Sequence, residues 1–194
     1  SIAALDAEIA SLEKRVLARA REISVKRKEG AVQLSAAIEE NLKTLGMPNG
    51  SFTVEVTQRS TEGGKPLCTQ YGIDAVEFTI SPNRGEPAKP LRSIASGGEI
   101  SRVMLSIKSV LAEKDSVSGL IFDEIDSGIG GEVAVSVGEH LQKLSRHKQV
   151  LCISHLASIA VRADNHIKIA KREKDDRTIT EIHPLAGEER VSEI

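Results

Sequence analysis

Between residues 1 and 45 the chain holds one glycine, Gly30, and no proline. A run of that length without breakers predicts a single helix over residues 2–45, which Gly46 and Pro48 bring to a stop. Within it Ile2, Leu5, Ile9, Leu12 and Val16 recur at spacings of three and four, the seam of a coiled coil. The seam falters where Arg19 and Lys26 occupy the next expected apolar positions, and Ala31, Ile38, Leu42 and Leu45 restart it after Gly30. A stalk entering a globular head accounts for this pattern. So does a long core helix of an ordinary domain, because two heptads fall short of the three or four that decide the matter. The helical pattern is already under way at Ser1, so the chain is expected to have been cut from a longer polypeptide.

After residue 46 the periodicity changes. Phe52, Val54 and Val56 alternate with polar residues, the Gly63-Gly64 stretch turns the chain, and Ile73, Val76, Phe78 and Ile80 return, which predicts an antiparallel hairpin. Three prolines within residues 81–90 predict an irregular loop. Helix and strand then alternate: helix 96–113, strand 120–122, helix 132–144, strand 150–153, a short helix over 156–163, and two edge strands, 167–171 and 178–183, joined by the polar turn 174–177. Such an order predicts an α/β body with a mostly parallel sheet and helical crossovers. The organisation expected is a stalk end and leading helix over 1–46 and a globular lobe over 47–194.

At 194 residues the chain can bury a real core, and its net charge of -2 gives no general attraction to nucleic acid. Cys68 and Cys152 lie far apart without metal-ligand spacing or a disulfide framework, which fits a reducing cytosol. No apolar run approaches the roughly 20 residues needed to span a bilayer, so a soluble, cytoplasmic protein without a membrane partner is expected.

Three constellations carry chemistry. Ser96-Gly97-Gly98-Glu99 opens a helix after a loop. Paired glycines let backbone amides approach a ligand, and the free N–H groups and positive dipole end of a helix suit a phosphate. A capping box, with Ser96 on the amide of Glu99 and Glu99 reaching back, explains the same residues without a ligand. The second constellation is an apolar strand, residues 119–122, ending in Asp123-Glu124. Ligands gather beyond the carboxyl ends of parallel strands, and neighbouring strand residues point opposite ways. Asp123 is then suited to a hydrated Mg²⁺ and Glu124 to taking a proton from a water. A strand end meeting a solvated turn is the plain alternative. The third is His155, at the end of the next apolar strand, either a phosphate donor or a satisfied polar group at a sheet edge.

Taken in order, these segments resemble the C-terminal lobe of ABC-type ATPases. In that resemblance Ser96, Gly97, Gly98 and Glu99 look like the signature motif, Asp123 and Glu124 like the Walker B aspartate and catalytic glutamate, Asp126 like the D-loop aspartate, and His155 like the switch histidine. Ile80-Ser81-Pro82-Asn83, Gly85-Glu86-Pro87, residues 94–102 and 122–131, and Ile153-Ser154-His155-Leu156 closely resemble the RecN family, SMC-like ATPases of bacterial double-strand-break repair. The resemblance runs from about residue 45 to the end. Ala95 and Glu99 depart from the leucine and glutamine usual in transporters, which the RecN resemblance accommodates. The glycine-rich stretch 128–131 leaves contacts past Asp126 without a counterpart.

The resemblance implies an ABC/SMC-type ATPase head, with ATP and Mg²⁺ as cofactors and DNA as a partner, acting at the nucleoid. A P-loop needs Gly-x-x-x-x-Gly-Lys-Ser/Thr, and Lys65, followed by Pro66, does not supply it. The family remedy is a P-loop lobe from the N-terminal half of the same polypeptide, folded back along an antiparallel coiled coil. Two heads would then sandwich ATP as a homodimer, with Ser96, Gly97 and Gly98 serving the nucleotide of the other subunit. This chain by itself is expected to be inactive. A non-catalytic scaffold is the alternative, acting through the stalk's basic set Lys14, Arg15, Arg19, Arg21, Lys26, Arg27 and Lys28 on DNA phosphates. That set equally reads as a solvated helix face, since no aromatic residues interleave to stack on bases.

Overall fold

A computed structural model describes residues 1–174 and 177–194. Asp175 and Asp176, in the expected polar turn, lie outside the described residues. Contacts group the chain into two compact units, residues 1–43 with 47–94, and residues 44–46 with 95–194. The long helix is thus grouped with the hairpin, whereas the sequence pattern set its boundary after residue 46.

In the first unit α1 runs unbroken over Ile2–Thr44, passing through an exposed Gly30. Ile2, Leu5, Ile9, Leu12 and Val16 are all exposed. Burial begins only beyond Arg19 and runs through Ala20, Ser24, Ala31, Ile38 and Leu42, so the stripe is continuous across Lys26. β1 (Ser51–Gln58) and β2 (Asp74–Ser81) form the expected antiparallel pair, with Phe52 opposite Ile80 and Val54 opposite Phe78. The loop 81–90 is less irregular than its prolines predict, because β3 (Lys89–Pro90) adds a two-residue edge to β2. Proline is tolerated there because an edge residue needs no ladder donor on its open side.

The helix also covers the open edge of β1. Ser35 Oγ accepts the Val54 N–H at 3.0 Å and Glu39 Oε1 accepts the Phe52 N–H at 2.8 Å. Residues four apart on a helix thereby satisfy alternate amides of an edge strand that would otherwise invite another chain.

The second unit holds the α/β body. β4 (Gly119–Phe122) and β5 (Gln149–Cys152) pair in parallel, Gly119 opposite Gln149 and Phe122 opposite Cys152, with α3 (Gly131–Ser145) as the crossover. α2 (Gly97–Val110) precedes them, and the short α4 (Ala157–Ala160) follows. Leu45, Leu105, Phe122, Ile125, Val137, Leu141, Leu144 and Ile159 build the core on one face of the pair. The parallel pattern predicted from sequence is confined to these two strands. β6 (His166–Lys174) and β7 (Arg177–Leu185) form a separate antiparallel hairpin, and α5 (Gly187–Glu193) ends the chain.

The two parallel strands are buried on one face only. Leu120, Phe122, Val150 and Cys152 turn toward the core, while Ile121 is 72% exposed, Leu151 51% and Ile153 50%. Among the described residues no helix is long and apolar enough to cross a membrane.

Candidate functional site

The sequence-predicted residues meet at the carboxyl ends of β4 and β5. β4 stops at Phe122, so Asp123 and Glu124 lie beyond the strand, and its two-fold alternation does not reach them. What parts the two acids is backbone: Glu124 has φ of 57°, the one non-glycine residue with positive φ among those described. A side chain in that region costs about 1–2 kcal/mol and needs local hydrogen bonds to hold it. Asp123 Oδ1 accepts the Glu124 N–H at 2.8 Å, and the Glu124 carbonyl accepts the Ser127 N–H at 3.0 Å. Both acids are exposed.

Asp126 is the opposite case, 5% exposed. Its Oδ2 accepts two hydrogen bonds, from Ser154 Oγ at 2.6 Å and the His155 backbone N–H at 2.8 Å, and His155 Nδ1 lies 3.0 Å from it. Burial pushes the Asp126 carboxyl up, but the Ser154 hydroxyl, the His155 amide and the nearby imidazole outweigh it and hold the carboxyl below its ordinary range. The His155 side chain is 77% exposed. Nδ1 faces the Asp126 carboxylate, which leaves Nε2 as the ring nitrogen turned away from it. Behind them burial, then the charges of Asp126 and Asp123, push the Cys152 thiol up to about 11, so it stays protonated and unreactive at neutral pH.

The helix start closes the rim. Ser96 Oγ accepts the Glu99 N–H at 3.3 Å, the forward half of the capping box. Ser101 Oγ donates to the Asp123 carbonyl at 2.8 Å. The glycine pair is explained by close approach: a β-carbon on Gly97 would overlap the Glu124 carboxylate, and one on Gly98 would stand 2.8 Å from the Ser127 carbonyl oxygen. The expectation of a glycine pair open to another molecule is therefore met only in part. Ser96 is exposed and Gly97 half-buried, but Gly98 is buried beneath the chain's own 125–127 loop.

Two participants escaped the sequence reading. Ser154 enters the sequence reading only within the RecN-like stretch 153–156, with no role of its own, yet its hydroxyl makes the shortest contact to Asp126. Arg102 is 6% exposed and donates through Nη1 to the carbonyls of Ile125 at 3.3 Å and Ser127 at 3.0 Å. Its helical phase was the available signal, since Gly98, Arg102, Leu105 and Ser106 share the buried face of α2. The basic set of α1 is partly committed elsewhere: Arg27 pairs with Asp74 at 3.0 Å, and Arg19 with Glu22 at 2.8 Å.

No family model matches the chain. Its sequence relatives are DNA repair proteins named RecN. It is 48% identical over 191 residues to RecN of Treponema pallidum, an alignment covering 98% of this chain and 33% of that protein. Against RecN of Bacillus subtilis the identity is 43% over 199 residues, covering 98% and 34%. The chain thus spans about a third of the length of the RecN relatives it matches. The fold is similar to an Smc head domain with a coiled coil and joint from Pyrococcus yayanosii, at a TM-score of 0.61 and 20% identity, covering 97% of this chain and 33% of that one. The likeness to RecN read from the residues, and the SMC-head fold that it implied, both hold.

Proposed function

We propose that this chain is the C-terminal lobe of an SMC-like ATPase head acting in recombinational double-strand-break repair, with residues 1–46 as the end of its stalk. One observation supports the reading above the rest. Segments 96–102, 123–127 and 154–155, far apart in sequence, are joined at one rim by the Ser101–Asp123, Arg102–Ser127 and Asp126–Ser154 hydrogen bonds. Capped helices alone would not require that convergence.

The residues fit ATP and Mg²⁺ as far as one lobe can. Among the described residues no cluster of three or more His, Cys, Asp or Glu side chains is placed to hold a metal. Asp123 offers the single carboxylate that a hydrated, phosphate-shared Mg²⁺ takes from a protein. When bound, ATP supplies the phosphoanhydride to be cleaved, and Mg²⁺ neutralises charge on it. Glu124 is the residue to accept the proton of an attacking water. Its carboxylate lies against Gly97, at the start of the helix that would face the nucleotide. His155, fixed at Asp126 through its backbone N–H with Nδ1 beside the carboxylate, would reach a phosphate oxygen through Nε2. Ser96, Gly97 and Glu99 would serve the nucleotide of a second head, while Gly98, beneath the 125–127 loop, and Asp126, 5% exposed, act from behind by shaping that rim.

The phosphates need a P-loop, which we assign to the N-terminal half of the same polypeptide. The open apolar face of Ile121, Leu151 and Ile153 supports this, because parallel strands are ordinarily covered on both sides. ATP-bound heads would pair as a homodimer and control engagement of DNA. In the full-length protein Glu124→Gln is expected to retain ATP binding and to slow turnover by about 10²-fold to 10⁴-fold, the worth of general-base catalysis. Equal turnover in wild type and variant under saturating ATP removes Glu124 from the chemistry.

A further inference from the structure

Arg102 is a buried cation with an incomplete set of partners. It is 6% exposed, makes no ion pair among those found in the described residues, and its Nε has no hydrogen-bond partner. Desolvation draws its pKa down, and the charge of Glu99 only partly restores it. A guanidinium so placed is expensive for the fold, and the same volume of apolar side chain would avoid the desolvation. Stability therefore does not explain the choice of residue.

What Arg102 grips does explain it. Its Nη1 takes the carbonyls on either side of Asp126, those of Ile125 and Ser127, from a helix whose first turn is Gly97–Ile100. Nη1 also lies 3.0 Å from where a Gly98 β-carbon would stand, with the Ser127 carbonyl at 2.8 Å on the same side. The guanidinium, the Ser127 carbonyl and the bare α-carbon of Gly98 thus form one packed contact between the helix start and the loop. From that loop Asp126 holds Ser154 and His155.

We propose that Arg102 is a positioning residue, fixing the register between the α2 start and the Asp126–His155 pair by clamping the carbonyls that flank Asp126. Through it the helix start and the histidine move as one piece. This deepens the ATPase reading and rests on it for its effect on turnover. The clamp itself does not depend on any nucleotide.

The experiment compares Arg102→Met, Arg102→Lys and Gly98→Ala in the full-length protein. Amide hydrogen exchange without nucleotide is read first. Faster exchange confined to residues 97–99 and 125–128 in Arg102→Met is expected, and unchanged or globally raised exchange overturns the clamp. Turnover and ATP affinity are read next. A loss in kcat of about 10²-fold, with ATP affinity little changed, is expected for Arg102→Met and Gly98→Ala, the cost of a misplaced catalytic group. Arg102→Lys should recover part of it, since an ammonium reaches a carbonyl but lacks the planar fork. Losses that track thermal midpoints across the three variants, or wild-type kcat in a folded Arg102→Met protein, overturn the positioning role. If the full-length wild-type protein turns over no ATP while exchange still rises at the two segments in Arg102→Met, the ATPase reading fails and the clamp stands.

Discussion

Among the described residues each unit of the molecule buries one aspartate and holds it with a serine and a basic side chain, and the two arrangements differ in that side chain. In the unit of the long helix and the β1–β2 hairpin Asp74, 4% exposed, accepts from Ser24 Oγ at 2.7 Å and pairs with Arg27 at 3.0 Å. In the α/β unit Asp126, 5% exposed, accepts Ser154 Oγ at 2.6 Å and meets His155 Nδ1 at 3.0 Å. Arginine keeps its charge throughout the accessible pH range, so the Asp74 knot is a fixed rivet between α1 and β2. The His155 side chain is instead 77% exposed, so only its edge is tied to the buried carboxylate and the rest of the ring stands at the surface. The same components fasten structure in one place and present a usable group in the other.

The sharpest way to break this comparison is to remove both carboxylates in turn. In the full-length protein Asp126→Ala is expected to lower turnover at saturating ATP by about 10²-fold, because His155 loses its orientation. Asp74→Ala should leave turnover per folded molecule unchanged and register only in stability. Steady-state ATPase assays on both variants, normalised to folded protein, decide it. A turnover defect of similar size in Asp74→Ala means that the two knots do not divide the labour as described.

Much of this was legible beforehand, and the gaps have physical causes. α1, the hairpin and the β4–α3–β5 order followed from periodicity and breakers, because those elements are long or strongly patterned. The acids, His155 and the glycine pair stood out by residue type. Asp74 and Ser24 did not, because a polar pair that meets only across 50 residues leaves no local signal. Arg27 was counted with a basic helix face for the same reason. The left-handed backbone at Glu124 was invisible too, since nothing about a glutamate announces positive φ and strand alternation suggested another cause for the divergence of the acids. The exposure of Ile121 and Leu151 could not be foreseen either: an apolar run says that a strand is covered, not that its own chain does the covering.

A second comparison concerns which partner of the Asp74 knot is dispensable. Deleting Arg27 leaves a carboxylate with a fully buried side chain and no counter-charge, whereas deleting Asp74 leaves a guanidinium that is 32% exposed and can reach water. Arg27→Ala is therefore expected to cost about 3 kcal/mol. Asp74→Ala should cost less, about 1–2 kcal/mol, the penalty of lost hydrogen bonds with one partner rehydrated. Chemical denaturation of the two variants checks the order. A larger loss for Asp74→Ala would show that the serine contact, and not the ion pair, fastens the helix.

The smallest effect is the narrowing, under acid, of a stability gap at the Asp126 knot. Its carboxyl is held below the ordinary range in the fold, so the unfolded chain binds its proton first as pH falls. The stability it contributes is fully present above the unfolded value, about 4, and is lost as pH drops through the lower folded value. Ser154→Ala removes one of the contacts that lower it. The variant should therefore be less stable than wild type at neutral pH by about 1–3 kcal/mol, the worth of a hydrogen bond to a charged group. That gap should narrow as acid protonates Asp126 in both proteins, because a neutral carboxyl gains less from the serine. Thermal midpoints measured at a series of pH values test the sign. Two curves that stay parallel down to the acid limb would mean that the Ser154 contact does not discriminate between the charged and neutral forms of Asp126.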